Sequence, residues 1–238
     1  MPLKLFFHTI DRKIEASKNI CNFFYKNKIK MSKLTIFAKG NFQPIQKNFM
    51  TQGVLALQSL SSFQTEFEMY DTDTTINSIR DTIIANYLGY DLVNTDKHGF
   101  DAKKSKSDKF LEVKQCSIVS KQWGGTWNDT NEEKALAFSD TRVMIAVSVW
   151  RGAAELQFLV YGQNSLVGEY LYDKVVNRKS GSRSTQSISI STMIKKWGFS
   201  VIVPPERKSE QVIQQIISNQ PSLSQYVNAD TIKFLSDF

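Results

Sequence analysis

Three polar residues in the stretch GFDAKKSKSDKFLEVKQCS could do chemistry together: Asp101, Glu112 and Lys114. The glutamate and the lysine alternate with apolar residues, which is typical of a β-strand because alternate side chains of a strand share a face. We therefore expect Leu111 and Val113 to point into the core, and the carboxylate and ammonium to lie side by side on the other face, at the edge of an apolar sheet. Ten residues separate the aspartate from the glutamate, a spacing that predicts a hairpin and brings the two carboxylates together.

Burying such groups costs free energy unless they are paired or bind something. Two converging carboxylates bind a hard divalent cation such as Mg²⁺, which prefers oxygen ligands. A neighbouring lysine can orient a water and neutralise charge that develops on phosphate. The set suits phosphodiester hydrolysis, and the alternative is a surface hairpin with an ordinary Glu/Lys pair.

The E-x-K triplet is by itself a weak signal. Two further copies occur in the chain, Glu132 to Lys134 at a predicted helix start and Glu206 to Lys208 after two prolines. Only the copy in FLEVKQ lies inside an apolar strand with an aspartate on the strand before it. The context of the triplet therefore carries the prediction.

The series Asp101, ten residues, Glu112, Val113 and Lys114 resembles the motif of the PD-(D/E)xK nuclease superfamily, which contains restriction endonucleases, Holliday junction resolvases and repair nucleases. The resemblance covers roughly residues 74–162 and extends to the order of helix, strand hairpin, helix and further strands. It implies that the aspartate, the glutamate and the lysine are catalytic.

The resemblance also implies a Mg²⁺ site and has one departure. Phe100 stands where the superfamily has a proline, a substitution that hardly touches the chemistry. An acidic residue in the first core helix often completes the site, and Asp81 in IRDTIIANYLGYDLV has the matching place, although it could also be a solvated helix residue. The implied metal-site residues are Asp81, Asp101, Glu112 and Val113.

The periodicity of the chain predicts the elements around this site. Residues 71–90 read as a helix that ends at Gly89, residues 143–150 and 156–162 as a central strand pair, and EQVIQQII as a helix. Thr130 and Glu133 have the spacing of a capping box that opens a short helix. The fold class predicted is α/β, with a mixed central β-sheet flanked by helices and a restriction-endonuclease-like core.

Two segments, 117–130 and 163–205, are the predicted DNA-recognition elements. The first contains KQWGGTWND, which reads as a loop whose Trp123 and Trp127 either stack on nucleic acid or close a core edge. The second contains a basic, Gly/Ser-rich loop at 177–187, whose alternative is an exposed loop without function. His98 could shuttle a proton or could be a hydrogen-bonded turn residue. The residues expected to contact phosphates or bases are Gln122, Asn128, Arg178, Lys179, Arg183 and Gln186.

The positive charge is concentrated at the N-terminus. Residues 1–50 hold ten Lys and Arg against two Asp and Glu, a net charge of +8, whereas the whole chain carries +7. Such an arm attracts polyanions, of which nucleic acid is the commonest soluble one. We expect a basic arm or extension at 1–50 and a single nuclease domain at 51–238. The alternative for the basic segment is a solvated surface without a specific partner.

These features together predict a Mg²⁺-dependent endonuclease that cuts double-stranded DNA at a specific sequence, most like a type II restriction enzyme and acting as a homodimer. The alternatives are a homing, resolvase or repair nuclease on the same core and a non-catalytic nucleic-acid-binding module. Cys21 and Cys116 lie far apart without ligand-like spacing, which suggests a reducing, cytoplasmic setting. We expect no membrane span and no small-molecule cofactor.

Overall fold

The computed structural model describes residues 41–43, 47–66, 74–94, 100–177 and 184–235. Most of the basic N-terminal segment lies outside these ranges, and so do residues 178–183. The candidate residues that lie outside the described part are His98, Arg178, Lys179 and Arg183.

Ten strands and six α-helices make up the described chain. The strands are β1 (Asn41–Gln43), β2 (Asp91–Asn94), β3 (Ala102–Lys103), β4 (Phe110–Ser117), β5 (Gly124–Thr130), β6 (Val143–Arg151), β7 (Glu155–Gln163), β8 (Ser184–Ser189), β9 (Ser200–Val203) and β10 (Lys233–Phe234). The helices are α1 (Lys47–Glu66), α2 (Thr74–Tyr87), α3 (Glu132–Phe138), α4 (Ser165–Val176), α5 (Ile190–Trp197) and α6 (Ser209–Asn219). None of the described helices is both long and apolar enough to cross a membrane.

Eight of the strands form one central sheet in the order β1-β2-β3-β4-β6-β7-β9-β10. The pairs β4–β6 and β9–β10 are parallel and the other pairs are antiparallel, so the sheet is mixed. Strands β5 and β8 form a separate antiparallel ribbon. The predicted class, α/β with a mixed sheet flanked by helices, is confirmed.

Each face of the central sheet is covered by its own hydrophobic cluster. Helices α1 and α2 pack on one face, through residues that include Leu57 and Ile84. Helices α3 to α6 contribute to the cluster on the other face, where Phe158 and Val147 project from the sheet. Strand β6 lies between β4 and β7 and is buried from Val143 to Trp150 except for the half-buried Met144. The predicted central strand pair is therefore confirmed.

The helix predicted over residues 71–90 is α2. Ile76 and Ile83 are buried in the cluster beneath it, and Ile79 and Tyr87 pack against that cluster. Its turn is closed by Gly89, which has a φ of +70°, a conformation that glycine adopts without strain.

The start of one helix differs from the prediction. The helix expected to open at Thr130 begins one residue later, because the side chain of Asn131 accepts a hydrogen bond from the backbone N–H of Lys134 at 2.8 Å and is the N-cap. Strand β1 pairs with β2, and α1 begins at Lys47. The predicted division at residue 50 thus passes through α1.

The segment KQWGGTWND is not a loop, since most of it forms β5. Its two tryptophans are each 1% exposed, which excludes the base-stacking role and confirms the core alternative. Trp123 donates from Nε1 to the carbonyl of Ile118 at 3.0 Å and meets the ring of Phe158 edge-on. The loop predicted at 177–187 is likewise partly a strand, because β8 begins at Ser184.

Gly124 is required by the close approach of β5 and β8. A Cβ at this position would lie 2.2 Å from the backbone carbonyl oxygen of Ile188, and a backbone atom cannot move aside without breaking the ribbon. We predict that Gly124→Ala lowers the free energy of unfolding by at least about 2 kcal/mol, measured by chemical denaturation. Gly53→Ala is the matched control, because its Cβ would meet only the Ile79 side chain, at 3.2 Å, and its stability should change little. Equal stability of the two variants would contradict this account of the ribbon.

Candidate active site

The hairpin of β3 and β4 brings Asp101 and Glu112 together. Ala102 pairs with Leu111 in an antiparallel register. Asp101, which precedes Ala102, therefore lies opposite Glu112, which follows Leu111. The Asp101 N–H donates to the Leu111 carbonyl at 3.0 Å, and its Oδ2 accepts from the Val113 N–H at 2.6 Å. The sequence prediction of two adjacent carboxylates on a hairpin is therefore confirmed.

Strand β4 is not an edge strand of the sheet, although part of it is open. It lies between β3 and β6, but β3 pairs only with Phe110 and Leu111. Beyond these two residues the described chain pairs β4 only with β6. Asp101 lies where β3 stops pairing, and its side chain takes the place of a ladder partner for Val113.

Glu112 and Lys114 face the side of the sheet opposite to Leu111 and Val113, as the alternation predicts. The Lys114 Nζ lies 2.5 Å from Oε1 of Glu112. Its ammonium also lies over the ring of Trp127, at 5.9 Å from the centroid. The glutamate is 6% exposed, so the pair is largely removed from solvent.

Two features hold Lys114 in this position. The hydroxyl of Ser148 on β6 donates to the Lys114 carbonyl at 3.1 Å, and Trp150 Nε1 donates to that hydroxyl at 2.9 Å. On the other side the lysine stem lies against Gly125, where a Cβ would come within 2.9 Å of the lysine Cγ. A side chain at position 125 would therefore displace the lysine or the Trp127 ring.

Asp81 reaches the same region from α2. Its Oδ1 accepts from Gln115 Nε2 at 2.5 Å, and the same amide donates to the Asn77 carbonyl at 2.7 Å. Arg80 fastens the helix to the β6–β7 turn by donating to the carbonyls of Gly152 and Ala153. Asp81 is thus joined to β4 through Gln115, and its role as a metal-site residue stays a prediction.

Sequence reasoning missed Gln115 and Arg80 as parts of this network. Gln115 lies on the same strand face as Leu111 and Val113 and ends this apolar series. A polar residue at such a position is a signal that could have indicated a polar partner on the helix that covers the face. The bonds of Arg80 cross more than seventy residues of chain, and no local pattern indicates them.

The two aspartates near Lys114 resist ionisation. Burial, together with the charges of Glu112 and Asp81, raises the pKa of Asp101 well above its ordinary value, and Lys114 and the Val113 N–H only partly oppose this. Burial is also the main cause that raises the pKa of Asp81 to about 7, and the hydrogen bond from Gln115 and the nearby Lys114 lower it. Ionisation of both aspartates would therefore place more negative charge here than the surroundings stabilise.

Lys114 remains an ammonium at neutral pH. Burial alone would lower its pKa, but the charges of Glu112, Asp101 and Asp81 outweigh burial and raise it. A lysine in this state donates hydrogen bonds and positive charge, and it does not accept a proton.

A divalent cation fits this imbalance of charge. The Glu112 carboxylate contacts the ammonium of Lys114, the charges of Asp101 and Asp81 also act on that ammonium, and Arg80 is a further positive charge near Asp81. Among the described residues no group of three or more His, Cys, Asp or Glu side chains has the arrangement of a metal cage. Mg²⁺ ordinarily takes one or two carboxylates and completes its shell with water and substrate phosphate. Val113 can offer only its main-chain carbonyl, because its side chain is buried in the core.

The residues predicted to contact DNA are only partly described. Gln122 and Asn128 are exposed, in the turn before β5 and on β5 itself. Gln186 pairs with Trp127 across the ribbon and is half-buried. These three residues belong to the ribbon or its approach.

Comparison of the chain with protein-family models and with curated proteins finds no match. The resemblance to the PD-(D/E)xK nucleases stays a prediction from the sequence motif.

The raised pKa values predict a stability that falls as pH rises. A carboxyl group whose folded pKa exceeds its unfolded value favours folding below the unfolded pKa and loses that contribution as pH rises through the folded pKa. For Asp81 this window runs from its ordinary value of 3.8 to about 7. In metal-free buffer at about pH 8, Asp81→Asn should therefore raise the free energy of unfolding by roughly 1 to 3 kcal/mol, and the gain should shrink towards pH 4.

Asp140→Asn is the control for this measurement. Burial would raise the pKa of Asp140, but its hydrogen bonds and charge pairing with Arg142 hold the pKa below the ordinary value. Its contribution to stability is present above the unfolded pKa and is lost as pH falls through the folded pKa. The asparagine variant should thus lose stability at pH 8. A loss of stability in Asp81→Asn at pH 8 would contradict the electrostatic description of the site.

Proposed function

We propose that the protein is a Mg²⁺-dependent endonuclease that hydrolyses phosphodiester bonds of double-stranded DNA at a specific sequence. The observation that carries this proposal is the register that puts Asp101 opposite Glu112, whose carboxylate binds the ammonium of Lys114, where β4 is open beyond its pairing with β3. Asp81 adds a further negative charge nearby, from α2. Surplus buried negative charge beside a fixed cation suits a divalent metal together with a phosphate.

The residues have distinct roles in this proposal. Asp101, Glu112 and the main-chain carbonyl of Val113 would hold Mg²⁺, and Asp81 would add negative charge near the ion from the α2 side of β4. When bound there, the ion would polarise the phosphate oxygens and lower the pKa of a water. Lys114 orients the attacking water and neutralises charge that accumulates on the phosphate oxygens as the water oxygen bonds to phosphorus and one ester bond breaks.

Glu112 also fixes Lys114. The hydrogen bond of 2.5 Å between them holds the ammonium beside the carboxylates, and the Ser148 hydroxyl holds the lysine main chain. Such preorganisation matters because a donor that is already in place does not need to reorient during the reaction.

The substrate class follows from charge. The chain carries +7 overall, and its N-terminal fifty residues carry +8, so the protein attracts polyanions. The competing proposal of a DNA-binding module without catalysis predicts that binding is the whole activity. A homing, resolvase or repair nuclease would use the same site, and its preference for branched or damaged DNA distinguishes it.

We predict that Glu112→Gln loses cleavage of long duplex DNA by at least about a hundredfold, because the variant lacks one carboxylate charge, while DNA binding and folding are kept. Lys114→Met should likewise lose cleavage and keep most of its binding. Glu132→Gln is the matched control, since this exposed glutamate is the first residue of another E-x-K triplet outside the sheet. Cleavage is read by gel analysis, binding by fluorescence anisotropy and folding by denaturation.

Three outcomes are informative in this experiment. Cleavage by Glu112→Gln at the wild-type rate would refute the assignment of the site. A wild-type protein that binds DNA and never cuts it with Mg²⁺ would favour the binding module. If Glu112→Gln does not fold, Lys114→Met provides the test instead, because the methionine side chain can occupy the space of the apolar lysine stem.

We further propose that the protein acts as a homodimer. A two-fold symmetric enzyme presents the same reading elements to both halves of a palindromic site and doubles the contacts available to a chain of this size. Sedimentation at the concentrations used for cutting, with and without DNA, should show a dimer. A monomer under both conditions would refute this part of the proposal and favour a monomeric nicking or repair nuclease.

A further inference from the structure

Two surface elements next to the candidate active site differ sharply in charge. The first is the turn of the β3–β4 hairpin, residues 103–109, which contains four lysines and one aspartate. The second is the ribbon formed by β5 and β8. We propose that they divide DNA binding, with the lysine hairpin holding phosphates and the ribbon reading base edges in the major groove. This inference rests on the proposed function.

The lysine hairpin is tied to the active site by the chain itself. It leaves the sheet two residues after Asp101 and returns two residues before Glu112. The turn is closed by main-chain hydrogen bonds, from Lys104 N–H to the Lys109 carbonyl at 2.9 Å and from Ser107 N–H to the Lys104 carbonyl at 3.1 Å. Its positive charge therefore occupies a defined position beside the carboxylates.

The exposure of the hairpin side chains suits contact with a backbone phosphate. Lys106 and Lys109 are exposed, whereas Lys103 and Lys104 are half-buried. Lys104 lies over the ring of Tyr90 at 5.7 Å. Lysine ammonium groups on a protein surface bind DNA mainly through phosphate, without regard to sequence.

The ribbon also lies against the active site. Gly125 of β5 contacts the stem of Lys114, and the ring of Trp127 lies beneath its ammonium. Trp127 and Ile188 are buried and fix the inner side of the ribbon. The outward side chains of both strands are consequently held rigidly at a short distance from the site where the backbone would be cut.

The outer face of the ribbon is composed of short polar side chains. Thr126 and Ser187 are cross-strand partners whose hydroxyl oxygens lie 3.1 Å apart. Asn128 and Thr185 are exposed as well. Among the described residues of β5 and β8, Asp129 is the one charged residue; it is exposed at the irregularity in the pairing and has a φ of +51°.

This composition argues against a phosphate-binding role for the ribbon. It contributes no positive charge, and the carboxylate of Asp129 repels phosphate. The major groove of B-form DNA admits a two-stranded ribbon, and asparagine, threonine, serine and aspartate side chains all have hydrogen-bonding partners on base edges there. The ribbon is thus matched to base edges and the hairpin to phosphates.

The test measures binding in EDTA, so that it does not depend on cleavage. The preferred duplex of the wild-type protein is first selected from a random pool, and affinity is then measured for that duplex and for a scrambled one over a range of salt concentrations. The ribbon variants are Thr126→Val, Ser187→Ala and Asn128→Ala, and the hairpin variants are Lys106→Gln and Lys109→Gln. Ser59→Ala on α1 and Lys196→Gln on α5 are the controls, because both residues are exposed.

Each ribbon variant should reduce the ratio of affinities for preferred and scrambled duplex by at least about fivefold and leave the salt dependence unchanged. Each hairpin variant should make the slope of log affinity against log salt shallower by about one unit and leave that ratio unchanged. The controls should change neither quantity.

Several results would overturn the division. Ribbon variants that alter the salt slope, or hairpin variants that alter base preference, would reverse it. A wild-type protein that cuts DNA while the ribbon variants keep full base preference would refute this inference and leave the proposed nuclease standing. Absence of cutting by the wild-type protein with Mg²⁺, combined with a base preference that depends on the ribbon, would refute the nuclease and leave the inference standing.

Discussion

The burial of carboxyl groups near one another is the constraint on which the candidate site depends. Asp101 and Asp81 lie near Glu112 and Lys114, and burial makes ionisation of the two aspartates costly. Like charges that are removed from water separate or become protonated unless the surrounding structure holds them. Here the bend before β3 holds the Asp101 carboxyl group, β4 that of Glu112 and α2 that of Asp81.

The scaffold is built to hold these groups. Strand β4 is paired along its whole length with β6, from Phe110 opposite Val143 to Ser117 opposite Trp150. Helix α2 is fastened to the β6–β7 turn by Arg80 and to β4 by Gln115. Because both anchors involve the central strands, a shift of the helix would disturb the core before it relieved the site.

Local patterns in the sequence were sufficient to predict the hairpin and the strand pair. Asp101 and Glu112 are joined by a short turn, so their approach depends on alternation and register, which local sequence determines. The helical spacing of Ile76 and Ile83 predicted α2 for the same reason. The position of Asp81 came from the family resemblance, since only the packing of the helix on the sheet brings it to the hairpin.

Other features depend on contacts that local patterns do not encode. The glycines of WGGTW suggested a loop, although Gly124 and Gly125 are needed because Ile188 and Lys114 approach them closely. Asn131 caps α3 in place of Thr130, a difference of one residue that propensity does not resolve. The pairing of β5 with β8 joins segments about sixty residues apart, and it turned two separate predicted recognition loops into one ribbon.

The most direct test of the nuclease proposal is incubation of the purified wild-type protein with a long duplex DNA in Mg²⁺ and in EDTA, followed by sequencing of all new ends. The charge cluster at Asp101, Glu112 and Lys114 predicts discrete fragments in Mg²⁺, whose ends share one sequence, and intact DNA in EDTA. Intact DNA in both, or the same ends in both, would contradict the proposal.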